Sequence, residues 1–397
     1  MIPAEPGTGG SGGRPTSRGS DEGVASRVAA LEVLARVEDD DAFANLAVGA
    51  VLDRAALDER DRALATDLAY GAIRHRRALR YLVDRFLSDP PPPNVYRALE
   101  LGVYQLLHRP DIPDYAAVSA TVTAAPKRFR GLVNAVLRRV ADADATYPDD
   151  ATRLSYPDWM VDLLVSELGP KEALGALESM NEPARAHTRS DGYVQDPASQ
   201  MVAELVAAEL PGAAGVIDLC AAPGGKATML AAGESTWVAA ADVSAKRAGL
   251  IAANATTLGA ADTCTVVSDA TEPAFAPGSA DAVLLDAPCS GLGVLRRRPD
   301  ARWRITQEAP ERLAALQRRM IDASVPLVAP GGLLAYSVCT LTAVETTGID
   351  DYVSERHPGM QPIEPPAAPW VPHGRGAILL PQRESTDGMA LFMYRSS

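Results

Sequence analysis

The chain has 397 residues, 47% hydrophobic and 22% charged, with a formal net charge of −13. That length exceeds one ordinary domain, that composition can bury cores, and no apolar run reaches the roughly 18 residues of a membrane-spanning helix. Taken alone, the acidic balance argues mildly against a nucleic-acid binder, because phosphate contact needs Lys and Arg. The N-terminus lacks the basic-then-apolar layout of an export signal. A cytoplasmic protein with no membrane partner is therefore expected, and a monomer. The four cysteines, Cys220, Cys264, Cys289 and Cys339, form no C-x-x-C pair, which weakens a zinc reading. A reducing compartment weakens a disulfide reading.

In chain order, residues 1–22 are rich in Gly, Pro and Ser and are expected to form a disordered tail, because they bury too little to offset ordering entropy. An all-helical domain is expected over 23–142. Its apolar stripes recur at three-to-four spacing: Val24, Val28, Leu31 and Ala35; Leu64, Leu68 and Ala72; Leu79, Leu82 and Phe86; Val95, Leu99, Val103 and Leu106; Phe129, Leu132, Val136 and Val140. The run 90-PPPP-93 breaks the pattern. Arginines cluster in 74-RHRRALR-80, 127-KRFRGLVNAVLRR-139 and 296-RRRPDARWR-304. Each could be a solvated face; three in an acidic chain point to local basic patches. Residues 143–200 read as a linker with one short helical segment.

From 201 the pattern changes. Strand-like runs at 215–221, 237–243, 264–270, 281–287 and 332–339 alternate with helical stretches. Near-continuously apolar strands separated by helices mean an α/β domain, 201–397, with a mostly parallel sheet covered on both faces. Ligands of such sheets bind at the carboxyl ends of the strands. Asp218, Cys220, Asp242, Asp269, Asp286, Cys289 and Cys339 all fall at or near those ends.

The loop 220-CAAPGGKAT-228 follows the first strand. Pro223 fixes the turn, and Gly224 and Gly225 let a ligand approach the backbone. Neither a dinucleotide fingerprint nor a P-loop has this spacing. Asp242 could accept from both ribose hydroxyls, and Asp269 from an adenine amino group; each alone could equally cap a helix. Together they fit an adenosine ligand without pyrophosphate, and S-adenosylmethionine meets that description. The thiols remain open at this stage between buried apolar residues and nucleophiles. None of the five histidines has protease-like spacing to them. A thiolate could instead add to carbon 6 of a pyrimidine and activate carbon 5 for methylation, with Asp286 as a nearby acid.

Four stretches, 218-DLCAAPGGKAT-228, 242-DVSAKR-247, 286-DAPCSGLGVLRRRPD-300 and 336-YSVCTLTAVE-345, resemble the motifs of the RNA cytosine-C5 methyltransferases. Two more, 60-RDRALATDLAYGAIR-74 and 131-GLVNAVLRR-139, resemble a NusB-like RNA-binding domain. The resemblance implies a Rossmann-like methyltransferase domain preceded by an all-α NusB-like domain, with a cytidine of small-subunit ribosomal RNA as target. It implies that Cys339 is the nucleophile, that Cys289 assists release of the methylated RNA, and that Asp286 contacts the cytosine ring. Cys220, Ala221, Ala222, Pro223, Gly224, Gly225 and Lys226, with Asp242, Arg247, Asp269 and Asp286, would hold S-adenosylmethionine. Family members carry a longer stretch between the N-E-P and V-Q-D segments. Here 181-NEPARAHTRSDGYVQDPASQ-200 joins them almost directly, so RNA docking would fall to the 296–304 run and the helical domain. The alternatives are a non-catalytic RNA-binding or ribosome-assembly factor that keeps the fold, and a nicotinamide dehydrogenase, which the 220–226 loop disfavours.

Overall fold

The computed structural model describes residues 23–210, 212–233 and 236–397. The tail expected over 1–22 lies outside them. The chain divides into two units, Met1–Tyr147 and Pro148–Ser397.

The described part of the first unit is helical: Val24–Asp39, Ala44–Leu52, Glu59–Asp84, Pro93–His108, Asp114–Ala124 and Arg130–Ala141. Local chemistry sets several boundaries. Asp58 caps its helix by accepting from Asp61 N at 2.8 Å. Pro93 occupies the first turn of the next helix, where its missing N–H costs nothing. Those two long helices pack so closely that a Cβ at Gly71 would sit 1.9 Å from Tyr104 Cζ. Leu68, Leu79, Leu99, Leu101 and Leu137 are fully buried.

Two apolar stripes depart from expectation at single positions. Val28 is 49% exposed, while Ala29, Ala30, Val33 and Leu34 are buried; Leu132 is 37% exposed, while Val133, Val136, Leu137 and Val140 are buried. The buried side of the first helix also takes in Ser26, which donates to Asp61 Oδ1 at 2.6 Å, and Arg27, which donates to Gly23 O at 2.8 Å, so polar partners as well as apolar packing set which side turns inward.

In the second unit the stretch read as a linker is largely structured. Helices Asp150–Leu154, Asp158–Leu168 and Pro170–Ser179 bury Leu154, Tyr156, Met160, Leu164, Leu177 and Met180 in one core with Ile217, Val283 and Leu285. Five parallel strands follow: β1 (Ala214–Asp218), β2 (Thr236–Asp242), β3 (Thr263–Val267), β4 (Ala280–Asp286) and β5 (Val328–Val338). Among the described residues three short strands, β6 (Met360–Pro362), β7 (Val371–His373) and β8 (Gly376–Leu379), and a longer one, β9 (Met389–Ser396), follow. They have no counterpart among the expected strands. β9 pairs antiparallel with β5, β8 and β6. The order among described residues is β3-β2-β1-β4-β5-β9-β8-β7, with β6 on β9. Alternate strand residues serve two cores: Ile217, Val283 and Leu285 face one, Val216, Ala282 and Leu284 the other.

Strand order reverses between β1 and β4, which opens a crevice at their carboxyl ends. Asp218, Asp242 and Asp286 end β1, β2 and β4, and Cys339 follows β5. Asp269 lies two residues past the end of β3.

Candidate active site

The loop after β1 is pinned to β2. Ala221 N donates to Ala241 O at 2.8 Å, and Gly224 N to Ala221 O at 2.7 Å. Gly224 sits at φ +107°, in the region that favours glycine. A Cβ at Gly225 would meet Tyr193 Cε1 at 2.9 Å and Gln195 Nε2 at 3.0 Å. From the helix Ala245–Leu258, which follows β2, Asn254 donates to Pro223 O at 2.8 Å and Arg247 to Ala222 O at 3.2 Å. Arg247 also lies 3.2 Å from Asp242 Oδ2, and Asp242 Oδ1 accepts from Ser244 N at 3.0 Å. Asp269 is exposed; its Oδ1 accepts from Thr271 N and Oγ1, both at 2.8 Å, and those bonds hold its carboxyl below the usual range.

Asp218 is almost wholly buried, and neither carboxylate oxygen has a hydrogen-bond partner. Burial, with the negative charge of Asp286, pushes its pKa up to about 7. Cys220 is pushed upward by burial and then by Asp218, Asp286 and Asp242. A buried acid with free acceptors beside a glycine cradle suits a cationic ligand. The ammonium of S-adenosylmethionine fits Asp218, and Asp242 at the end of β2 suits its ribose.

Lys226, on the helix Gly225–Leu230, reaches across to β4. Its Nζ donates to Asp286 Oδ2 at 2.7 Å, and Ser337 Oγ on β5 donates to Asp286 Oδ1 at 3.0 Å. Burial opposes the Lys226 ammonium, but Asp286, then Asp218 and Cys339, more than offset it and hold its pKa above that of an ordinary lysine.

Cys289 and Cys339 come together with sulfurs 3.3 Å apart, within hydrogen-bonding distance. Both thiols are free and partly accessible. The hydrogen bond to Cys339, burial, and the charges of Cys339 and Glu345 hold the Cys289 pKa well above that of a free thiol. Cys264 is exposed on the edge strand β3, outside this group.

Sequence reasoning missed what holds the thiols. Glu345 is fully buried. Its carboxylate accepts from Ser290 N at 2.8 Å, Gln317 Nε2 at 3.1 Å, Thr340 Oγ1 at 3.2 Å, Thr342 Oγ1 at 2.9 Å and Ser290 Oγ. Gln317 Nε2 also donates to Pro288 O at 3.0 Å. Only the polar residues flanking each cysteine hinted at such a hub.

Arg296, Arg297 and Arg302 of the basic run 296–304 are turned inward, while Arg298 stays exposed. Arg296 donates to Ser385 O and Thr386 O. Arg297 pairs with Asp196 and, at 2.7 Å, with Asp387. Arg302 is fully buried with its guanidinium 3.9 Å from the Tyr156 ring centroid. A desolvated guanidinium survives only when paired or stacked, so these arginines shape the fold and are not an open patch. In the first unit, Lys127, Arg128, Arg130, Arg138 and Arg139 are exposed. Among the described residues no helix is long and apolar enough to cross a membrane.

Residues 208–394 match the family described as 16S rRNA methyltransferase RsmB/F, and residues 24–142 match the NusB family. The ribosomal RNA small subunit methyltransferase B of Thermus thermophilus is 36% identical, over 91% of this chain and 95% of that protein. The protein of the same name from Pseudomonas syringae is 31% identical, over 91% and 95%. A crystal structure described as PH0851 superposes with a TM-score of 0.72 over 94% of this chain and 98% of that one; at 19% identity it bears on the fold alone. Both domain matches, the relatives aligned over nearly their full length and the crevice geometry agree: the chain belongs to the RsmB/F family of 16S rRNA methyltransferases, whose cofactor is S-adenosylmethionine.

Proposed function

We propose that this protein methylates carbon 5 of a cytidine in small-subunit ribosomal RNA through a covalent bond between Cys339 and carbon 6 of the base. The observation that carries the reading is the meeting of two thiols with an ion-paired aspartate: Cys289 and Cys339 at 3.3 Å, and Asp286 with Lys226 at 2.7 Å. S-adenosylmethionine supplies an electrophilic methyl group.

The Cys339 thiolate adds to carbon 6, which raises electron density at carbon 5. Carbon 5 takes the methyl group, whose former bonding pair stays on the sulfur it leaves. A solvent base then removes the proton on carbon 5, that C–H pair forms the carbon 5–carbon 6 double bond, and the Cys339 sulfur departs with the carbon–sulfur bonding pair. Asp286, fixed as a carboxylate by Lys226 and Ser337, is oriented to accept a hydrogen bond from the ring, and the proton the ring takes up during addition comes from solvent and returns to it on elimination. Cys289 stabilises the departing sulfur by donating a hydrogen bond. Asp218, Asp242 and the 220–226 loop hold the cofactor. The target base must leave any stack to reach Cys339, which favours single-stranded or loop RNA. The exposed basic residues of the helical unit suit docking to its backbone.

The test is transfer of labelled methyl groups to protein-free small-subunit rRNA from cells lacking this protein. Product appearing as 5-methylcytosine, and abolished by Cys339→Ala, is expected. RNA binding without transfer, indifferent to Cys339, would favour a non-catalytic assembly factor.

A further inference from the structure

Glu345 is remote from Cys289 in sequence yet touches the loops of both thiols. Ser290, whose N–H and hydroxyl it accepts, directly follows Cys289; Thr340 directly follows Cys339. Through Gln317 the same hub grips Pro288, on the other side of Cys289. Tyr336, on β5, donates to the backbone oxygen of Glu345 at 2.7 Å, and its hydroxyl lies 3.0 Å from Gln317 Oε1. All five donors on the carboxylate are neutral, so the arrangement suits an anion whose charge no direct hydrogen-bond partner cancels.

The charges around the sulfur pair are therefore unequal. The Glu345 carboxylate is bound to the peptide N–H that follows Cys289. The Lys226 ammonium, by contrast, interacts electrostatically with Cys339, and its partner Asp286 accepts from Ser337, two residues before Cys339. An anion near a thiol disfavours its ionisation, and a cation favours it. The titratable groups facing Cys289 are Cys339, Glu345 and Tyr336. Those facing Cys339 are Cys289 and Lys226, with Asp286 on Lys226. Glu167, whose carboxylate accepts from Ala343 N at 2.8 Å, faces Glu345.

We propose that Glu345 is a positioning residue: it registers the two thiol loops and keeps the proton of the pair on Cys289, so that Cys339 is the sulfur that ionises and attacks. The inference rests on Cys339 as the nucleophile of the proposed function. It also gives Cys289 its part in release, since a thiol held protonated can donate to the departing sulfur.

The test measures alkylation of Cys289 by iodoacetamide against pH, in the full chain carrying Cys339→Ser, with position 345 native, Glu345→Gln or Glu345→Asp. The Gln side chain has nearly the same shape, and its amide can still accept from Ser290 N and Gln317 while donating to the hydroxyls. Removing the charge should lower the alkylation midpoint by about one pH unit or more. Glu345→Asp, which keeps the charge, should leave the midpoint within about 0.3 units of the native one. No shift in the Gln variant, or an equal shift in the Asp variant, overturns the inference.

The native chain gives an independent reading that needs no fold-sensitive variant. Limiting reagent should label Cys339 before Cys289, and the reverse order overturns the inference. In methyl transfer, Glu345→Gln should lower kcat about tenfold or more with KM for RNA and cofactor within about twofold. Loss confined to KM overturns the inference. Alkylation needs neither RNA nor cofactor, so a native chain that alkylates as expected yet transfers no methyl group counts against the proposed function and not against this assignment.

Discussion

Lys226 Nζ lies 2.7 Å from Asp286 Oδ2, although the two residues are sixty positions apart in the chain. The pair joins the loop after β1 to the end of β4, and so ties the cofactor side of the crevice to the thiol side. Lys226→Met should leave Asp286 without its cation. We expect a loss of about 1–3 kcal/mol of stability, since Asp286 keeps some access to water. Methyl transfer should fall about a hundredfold or more. Equilibrium denaturation and initial rates on rRNA check the two parts separately.

The two thiols should fail in different ways. Cys339→Ser should give neither product nor adduct. Cys289→Ser should still attack but release slowly, leaving an RNA–protein complex that survives denaturing electrophoresis. An adduct that persists in Cys339→Ser, or that is absent from Cys289→Ser while turnover continues at the native rate, would contradict the assignment of roles.

Asp218 makes stability depend on pH. Its pKa in the folded chain is about 7, well above the value of about 4 for an unfolded aspartate. Between these values the folded chain holds a proton that the unfolded chain has released. Its contribution is therefore fully present below the unfolded pKa and is lost as pH rises through about 7. Asp218→Asn removes that dependence. The stability of the Asn variant relative to the native chain should grow from about pH 5 to about pH 8, by an amount on the order of 2–4 kcal/mol. On the proposed reading that Asp218 receives the cofactor's ammonium, cofactor binding should release protons near neutral pH, as calorimetry in buffers of different ionisation enthalpy would show.

Gly224→Ala tests the cradle. The position has φ +107°, and a Cβ would lie 3.3 Å from the backbone Cα of Ile251. Strain of about 1–3 kcal/mol is expected, with a matching loss of cofactor affinity in a direct binding titration. Gly131→Ala, where a Cβ meets nothing within 4 Å, serves as the control and should be neutral.

The arginine runs should divide into two kinds. Arg302→Met removes a buried guanidinium stacked on Tyr156 and should destabilise the fold by about 2–4 kcal/mol. Exposed Arg138 and Arg139 should behave differently when changed to Ala. Stability should stay nearly unchanged, while the salt dependence of RNA binding falls by about one unit of slope for each phosphate no longer neutralised. Salt titrations of RNA affinity beside denaturation curves separate the cases.

The fold class, the five parallel strands and the gathering of aspartates and cysteines at their carboxyl ends were legible in the amino-acid order. Those features are local. Strand periodicity, the glycines of the 220–226 loop and the position of a residue at a strand terminus can all be read within a few neighbours. Tertiary structure alone decided which side chains meet. Cys289 finds Cys339, Lys226 finds Asp286, and Glu345 finds Ser290, across separations of 50, 60 and 55 residues. It also turned Arg296, Arg297 and Arg302 inward, buried helices 150–179 against the sheet and added β9 antiparallel to β5. The physical reason is the same in each case. An arginine or glutamate reads as polar wherever it stands, and only a partner brought from far along the chain makes its burial affordable. Strand order and packing, which no local pattern encodes, supply that partner.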